Sequence, residues 1–148
     1  MSLQQEVMSK LKEAMKAKDK VALESLRAIK SAILLAQTSG DAKELSSDDE
    51  IKLVQKLVKQ RKDSAALYKE QDRDDLADPE LAQVAVLKQF LPEQMGEDEL
   101  KNVIATIISK VGATSMKDMG KVMGIASKQL AGKADGKAIS NVVKALLG

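Results

Sequence analysis

The chain has 148 residues and a net charge of only +2, and it contains no His, no Cys and no Trp. These absences exclude a Ser-His-Asp triad, a Cys nucleophile, a disulfide and a zinc site with the usual nitrogen and sulfur ligands. Tyr68 and Phe90 are too few aromatic residues for a base-stacking platform, and no apolar run is long enough to span a membrane. Without a recognisable secretory leader, we expect a soluble, cytoplasmic protein with no catalytic residue, no cofactor and no metal site.

The first two predicted helices cover residues 3–17 and about 20–38, where apolar residues recur at helical spacing. Ser2 and Asp19 are the residue types that cap helix N-termini, and each comes directly before one of these segments. Gly40 is expected to end the helical hairpin, because glycine tolerates the left-handed conformation that follows many helices.

The third and fourth helices follow an acidic and serine-rich start signal. Ser47 and Glu50 have the spacing of a capping box and predict a long helix from about 48 to 71. Pro79 suits the first position of a short fourth helix, which ends before Pro92 because a residue that precedes proline avoids the helical region.

Three more helices are predicted after a Pro-Glu-Gln-Met-Gly linker near residues 92–96. They cover residues 97–111, 116–131 and about 136–147. Gly112 marks the end of the first of these helices, and Asp135 caps the last. Strand-like alternation is not found anywhere in the chain, so the predicted fold class is all-α and multihelical.

Composition divides these helices into two groups. Residues 1–95 contain 16 Lys and Arg against 17 Asp and Glu, whereas from Leu100 onward there are eight Lys and two acids. Seven of the eight glycines also lie after residue 95. We therefore predict a four-helix N-terminal subdomain at residues 1–92 and a three-helix C-terminal subdomain at residues 97–148.

Three cations of the N-terminal part lie on or beside apolar stripes. Arg61 falls in the middle of the apolar stripe of the third helix. Lys30 falls within the apolar stripe of the second helix, and Arg27 lies at the edge of that stripe. A cation that faces a core needs a carboxylate, carbonyl groups, a phosphate or a route to water. These residues indicate a small cationic pocket, an internal ion pair, or side chains whose aliphatic stems extend the charge to solvent.

The helix predicted at 116–131 carries the most organised pattern. A row of small residues lies beside its apolar side, and a row of lysines lies next to that row. Glycine inside a helix lowers the stability of that helix by about 1 kcal/mol relative to alanine. The presence of two glycines here therefore indicates that another requirement favours them. They either let a phosphodiester backbone approach the lysines or seat a neighbouring helix. The small residues are Gly120, Gly124, Ser127 and Ala131, and the lysines are Lys117, Lys121 and Lys128.

The segment from Gly132 to Lys137, which contains Lys133, joins this helix to the last one. Its two glycines and the following helix N-terminus are compatible with a backbone-phosphate contact or with a simple tight turn. The segment lacks the spacing of a nucleotide-hydrolysing phosphate loop, and no Ser or Thr follows the Lys. The acidic cluster at 72–78 likewise lacks the glycine and terminal glutamate of a calcium-binding loop.

Four motifs taken together resemble the YqeY family over essentially the whole chain. That family is similar to the tail of GatB, the B subunit of the glutamine-dependent tRNA amidotransferase. The strongest overlap with that tail runs from Gly124 to Ala134, whereas Asp135-Gly136 stands where the tail often has Asn-Pro. The motifs are Lys59-Gln60-Arg61-Lys62-Asp63-Ser64 with Tyr68, Leu91-Pro92-Glu93-Gln94, Asp118-Met119-Gly120-Lys121-Val122-Met123-Gly124 and Gly132-Lys133-Ala134-Asp135-Gly136.

The resemblance implies an all-helical protein whose tail helps to recognise tRNA while the catalytic centres lie on other chains or domains. A family-level description as a carbon–nitrogen ligase with glutamine as amido donor would be inherited from that relationship. The residues argue against independent ligase activity, because they assemble neither an ATP loop nor a metal site.

The hypothesis is a noncatalytic tRNA-binding or accessory module, with tRNA, an amidotransferase or another protein as partner. The alternative is a helical protein–protein adaptor without any RNA role, and a third reading is a true amidotransferase. The candidate nucleic-acid-binding residues are Lys117, Gly120, Lys121, Gly124, Lys128, Gly132, Lys133 and Lys137.

Overall fold

The computed structural model describes residues 2–39 and 44–148, and within these residues it contains helices and no strand. The all-α fold class is therefore confirmed. The end predicted for the first hairpin at Gly40 lies outside the described residues. The helices are α1 (Leu3–Ala17), α2 (Lys20–Thr38), α3 (Ser47–Glu70), α4 (Asp74–Lys88), α5 (Glu97–Val111), α6 (Met119–Gln129) and α7 (Gly136–Leu147), and a 3-10 turn at Met116–Asp118 precedes α6.

The chain divides into two compact units, Met1–Leu91 and Pro92–Gly148. In the first unit α1 packs on α2, and α2, α3 and α4 pack on one another. Ile29, Val54 and Leu87 have no exposed surface at the centre of this core. Burying a side chain of this kind stabilises the fold by about 1.5–3 kcal/mol. These three side chains, which come from α2, α3 and α4 respectively, therefore stabilise the packing of these helices on one another.

The second unit has its own core between α5, α6 and α7, each of which contacts the other two. Ile104, Val122 and Val143 are completely buried, one from each helix, and Ala126 is buried beside them. Residues of α6 at spacings of three and four thus face inward, which leaves the opposite side of that helix to solvent.

Several helix ends follow the predicted chemistry. The Ser2 hydroxyl accepts the Gln5 amide, and the Asp19 carboxylate accepts the Ala22 amide. Gly112 adopts the left-handed conformation with φ 67°, and the following amide donates to the Ile108 carbonyl at 3.1 Å. These caps were recognisable from sequence because each depends on neighbours within a few residues.

The starts of α3 and α4 differ from the prediction. Ser46 caps α3 and forms the capping box with Asp49, because the Glu50 carboxylate instead accepts the Leu3 amide at 3.1 Å. Helix α4 begins at Asp74, so Pro79 lies inside it instead of at its first position. The acidic segment is helical there because carboxylates in a first turn complement the helix dipole.

Candidate nucleic-acid interface

The core-facing side of α6 determines what its other side presents. Val122, Ala126 and Leu130 are buried, and residues on the opposite side of the helix are exposed. The predicted helix at 116–131 is shorter in the structure, because residues Met116–Asp118 form a 3-10 turn and α6 ends at Gln129. This turn is held by the Asp118 carboxylate, which accepts the Thr114 amide at 3.0 Å.

No neighbouring element of the described chain packs against the glycines on the outer side of α6. A Cβ atom placed on Gly120 or on Gly124 would have no described atom within 4 Å apart from its chain neighbours and the nearby backbone of its own helix. Ser127 is also exposed, and Ala131 is half-buried at the end of the row. The interpretation that these glycines seat a neighbouring helix of the same unit therefore finds no support. The row is an open strip of backbone.

The lysines beside this strip are directed to solvent. Lys117 lies on the 3-10 turn, and Lys121 and Lys128 lie two helical turns apart on α6, about 10 Å along its axis. All three are exposed, and no ion pair among the described residues involves them. Their charge is therefore available to an anionic ligand.

The loop before α7 is held in place by the segment that precedes α5. The Gln94 side-chain amide donates to the Gly132 carbonyl at 2.6 Å, and the Met95 backbone amide donates to the Lys133 carbonyl at 2.9 Å. Gly132 is buried with φ 79°, a conformation that other residues rarely adopt. The Gly132 and Lys133 carbonyls are thus hydrogen-bonded within the second unit, while the Lys133 side chain is exposed.

The N-terminus of α7 is capped by the protein itself. The Asp135 carboxylate accepts the Ala138 amide at 2.7 Å, so this amide does not face an external anion. Lys133 and Lys137 remain exposed on either side of the cap. This loop therefore offers a ligand the charge of two lysines. One of the amides predicted as an anion site, that of Ala138, is bound by the Asp135 carboxylate.

The three cations of the first unit have different surroundings. The Arg61 guanidinium donates to the Gln83 side chain at 2.8 Å through Nε and to the Leu57 carbonyl at 3.2 Å through Nη1. Gln83 in turn donates to the Glu24 carboxylate at 2.9 Å, so the chain of bonds joins α3, α4 and α2.

Lys30 is exposed and lines a small groove between α1 and α2, and Arg61 is not among the residues lining that groove. Arg27 is also exposed. The structure therefore places Arg61 in an internal hydrogen-bond network and leaves Arg27 and Lys30 at the surface.

Sequence reasoning did not single out Gln94 or Gln83 as functional or structural residues. Gln94 was recognised only as part of the Leu91-Pro92-Glu93-Gln94 motif. No residue near it in sequence indicated that its side-chain amide donates to the Gly132 carbonyl, 38 positions later. Among the described residues, no group of three or more acidic residues lies close enough to hold a metal ion. No helix of the described part is long and apolar enough to cross a membrane.

Comparison with known sequences assigns the family. The sequence model of the family described as "Yqey-like protein" matches residues 4–147. This chain belongs to the YqeY family. The match covers both units of this YqeY-family chain, including the exposed face of α6.

Four curated fungal relatives of this YqeY-family chain are named "Altered inheritance of mitochondria protein 41, mitochondrial". The one from Pyrenophora tritici-repentis is 30% identical over 142 residues, which cover 93% of this chain and 77% of the relative. The one from Clavispora lusitaniae is 31% identical over 125 residues, covering 81% and 69%. The one from Kluyveromyces lactis is 29% identical over 138 residues, covering 91% and 70%.

These names correct one expectation. A cytoplasmic location was predicted from the absence of a secretory leader and of disulfides. That prediction is contradicted by the relatives, since four of them are named as mitochondrial proteins. The physical reason is that a chain without cysteines forms no disulfide in any compartment, so this feature of the composition does not distinguish one location from another.

Proposed function

We propose that this YqeY-family chain is a noncatalytic RNA-binding module that holds a tRNA backbone against the outer face of α6. The observation that carries the proposal is the open strip at Gly120 and Gly124. An interior glycine costs a helix about 1 kcal/mol, and no described atom of the chain uses the space that these glycines leave. A ligand that approaches the backbone closely would use it.

Charge favours a phosphate backbone as that ligand. Lys117, Lys121 and Lys128 flank the strip, and Lys133 and Lys137 extend the basic surface to the loop before α7. From Leu100 to the end the chain has eight lysines and two acids. Phosphate contacts of this kind supply most of the affinity for a nucleic acid and carry no sequence information by themselves. The module would therefore position tRNA while other chains read its sequence.

The role as an accessory to a tRNA amidotransferase rests on the resemblance to the GatB tail. That resemblance is strongest from Gly124 to Ala134, a segment that contains three of the four residues of the strip and most of the loop before α7. The chain contains neither a Cys nucleophile nor a His base for glutamine hydrolysis. We expect the purified protein to release no ammonia from glutamine, with and without added tRNA.

A helical protein partner is the second candidate, because an exposed glycine strip also lets another helix approach closely. Gly124→Leu separates the two candidates. If RNA lies on the strip, the leucine side chain obstructs it and weakens tRNA binding. If only a protein helix lies there, tRNA binding is unchanged while a copurifying polypeptide is lost.

The test of the RNA proposal is the anisotropy of fluorescently labelled bulk tRNA titrated with the protein at low salt. The variant carries three charge reversals, Lys121→Glu, Lys128→Glu and Lys133→Glu, and we expect it to bind at least about tenfold more weakly. The matched control reverses three exposed lysines of the first unit, Lys20→Glu, Lys52→Glu and Lys56→Glu, which changes the net charge by the same amount.

The comparison with the control separates site binding from simple charge attraction. The proposal requires the control to lose much less affinity than the α6 and loop variant. Equal losses in both variants, or no tRNA binding by the unaltered protein at low salt, would overturn it.

A further inference from the structure

The hairpin of α1 and α2 exposes apolar side chains that the first unit does not cover. Met8 is 40% exposed, Met15 is 54% exposed and Leu34 is 60% exposed, although each lies within a helix of the core. Met8 and Met15 are seven residues apart on α1, so they lie on the same side of that helix, about two turns apart. Methionine adapts its shape to different partners, which makes it common at binding surfaces.

A groove between the two helices is lined in part by Leu34. It has a volume of about 70 Å³, and Val7, Ile33 and Leu34 form its apolar lining. Gln4 and Gln37 approach each other across it at 3.5 Å. Since Met8 follows Gln4 by four residues, it lies one turn further along this edge of α1. We refer to the groove with Met8, Met15 and Leu34 as the α1–α2 groove.

The charged residues beside the α1–α2 groove are cations. Arg27, Lys30 and Leu34 have the spacing of one helix side, and Lys12 follows Met8 by one turn on α1. Lys12, Arg27 and Lys30 are all exposed, and no described carboxylate forms an ion pair with them. Two glutamates of these helices have other surroundings, since Glu24 accepts a hydrogen bond from Gln83 and Glu13 lines a separate pocket that also includes Val86 of α4.

We propose that the α1–α2 groove binds an amphipathic helix of a partner protein, with acidic residues beside the apolar stripe of that helix. An apolar groove between two helices is the kind of surface on which such a helix lies, with anchors at intervals of three, four and seven residues. The row of Arg27, Lys30 and Lys12 attracts acids at the edge of the partner's stripe. A nucleic acid would leave Met8, Met15 and Leu34 unused, and a groove fits a helix better than a flat membrane surface.

The test uses a labelled peptide of about 18 residues, with leucines on one helical side and glutamates on both flanks of that side. A second peptide carries lysine in place of every glutamate. Anisotropy titrations are made with the full chain, with Arg27→Glu/Lys30→Glu and with the control Lys52→Glu/Lys56→Glu. The control reverses two exposed lysines on α3 and thus produces the same change in net charge.

We expect the acidic peptide to bind the full chain and the control variant, and the Arg27→Glu/Lys30→Glu variant to lose at least about tenfold in affinity. We also expect Leu34→Ala to weaken binding while tRNA binding stays unchanged. Melting followed by circular dichroism verifies that each variant folds.

Three outcomes would overturn the proposal. They are equal binding of the acidic and basic peptides, binding of vesicles of phosphatidylglycerol and phosphatidylcholine without binding of the acidic peptide, and loss of tRNA binding in the Arg27→Glu/Lys30→Glu variant. Peptide binding does not involve α6, so failure of the acidic peptide to bind leaves the RNA proposal standing, and failure of the RNA proposal leaves this one standing. Loss of tRNA binding in the Arg27→Glu/Lys30→Glu variant would count against both proposals.

Discussion

Gly124 lies inside α6 where almost any other residue would stabilise the helix. Its backbone is helical, it has no positive φ, and a Cβ atom there would meet no described atom beyond its chain neighbours and the nearby backbone of α6. Glycine is the least favourable residue at such a position apart from proline. Internal packing of the second unit therefore does not account for this residue.

Replacing Gly124 by alanine should make the protein more stable. We expect Gly124→Ala to raise the free energy of unfolding by about 1 kcal/mol, because alanine has the higher helix propensity. Urea unfolding measures this change in the free energy of unfolding. The matched control is Gly112→Ala at the end of α5, where φ is 67°. There we expect a loss of about 1–2 kcal/mol, since a side chain is disfavoured in the left-handed region. A destabilised Gly124→Ala would show that the glycine serves the fold.

Asp75 shows how a charge near a helix start responds to pH. Arg73 donates to both Asp75 oxygens, at 3.0 and 2.9 Å, and this hydrogen bonding lowers the pKa of Asp75 below its ordinary value. A lowered carboxyl pKa contributes stability above the unfolded-state pKa of Asp, and the contribution is lost as the pH falls through the lowered pKa. Both residues are exposed, so the contribution is small.

Removing the guanidinium should return the carboxyl group toward its ordinary titration. We expect Arg73→Ala to raise the pKa of Asp75, measured by following the Asp75 side-chain carbon in NMR spectra as the pH is lowered. The control is Arg27→Ala, which removes an exposed arginine on α2. An unchanged pKa of Asp75 in Arg73→Ala would contradict the assignment of the shift to this pair.

Helices and most of their ends were predictable, because both depend on local patterns. The all-α class follows from apolar spacing, and the caps at Ser2, Asp19 and Asp135 follow from residues three positions away. The register at the start of α3 was not predictable. Two consecutive serines each have an acid three residues later, and the selection of Ser46 depends on Glu50 binding the distant amide of Leu3.

The surroundings of site residues were harder to predict than the helices that carry them. Arg61 was recognised as a cation on an apolar stripe, but its partner Gln83 comes from a helix 22 positions later. The glycine strip of α6 was recognised as a pattern, whereas its exposure depends on where α5 and α7 pack. Sequence indicates which residues are unusual, and the tertiary contacts decide what each of them meets.

The segment between α4 and α5 is an example of an element whose role only the structure shows. Gln94 and Met95 bind the two carbonyls of the loop before α7, at 2.6 and 2.9 Å. We expect Gln94→Glu to lower the free energy of unfolding by about 1–3 kcal/mol, because the carboxylate cannot donate and the Gly132 carbonyl loses its partner.

Urea unfolding measures the Gln94→Glu effect, and the same substitution at exposed Gln60 on α3 is the control. Hydrogen exchange at the Met95 amide gives a second readout. It should become faster in Gln94→Glu alone, because the second bond to the loop opens with the first. Equal stability of both variants would show that the Gln94 bond does not hold the loop.

At the scale of the whole molecule, charge divides the chain between a near-neutral helical part and a basic end. Residues 1–95 have 16 cations and 17 acids, and the acids of that part are paired locally in several places, as in Lys59 with Asp63 at 2.9 Å. From Leu100 onward the chain contains eight lysines and only two acidic residues. The net charge of +2 therefore hides an uneven distribution of charge along the chain.

The most direct measurement of the central claim is the salt dependence of tRNA binding. The association constant is measured over a series of salt concentrations for the unaltered protein and for Lys121→Gln/Lys128→Gln/Lys133→Gln, which removes charge without adding acids. If these lysines contact phosphates, the logarithmic salt slope of the variant should be smaller in magnitude by about 2 to 3. An unchanged slope in this variant, with a reduced slope in Lys20→Gln/Lys52→Gln/Lys56→Gln, would contradict the account.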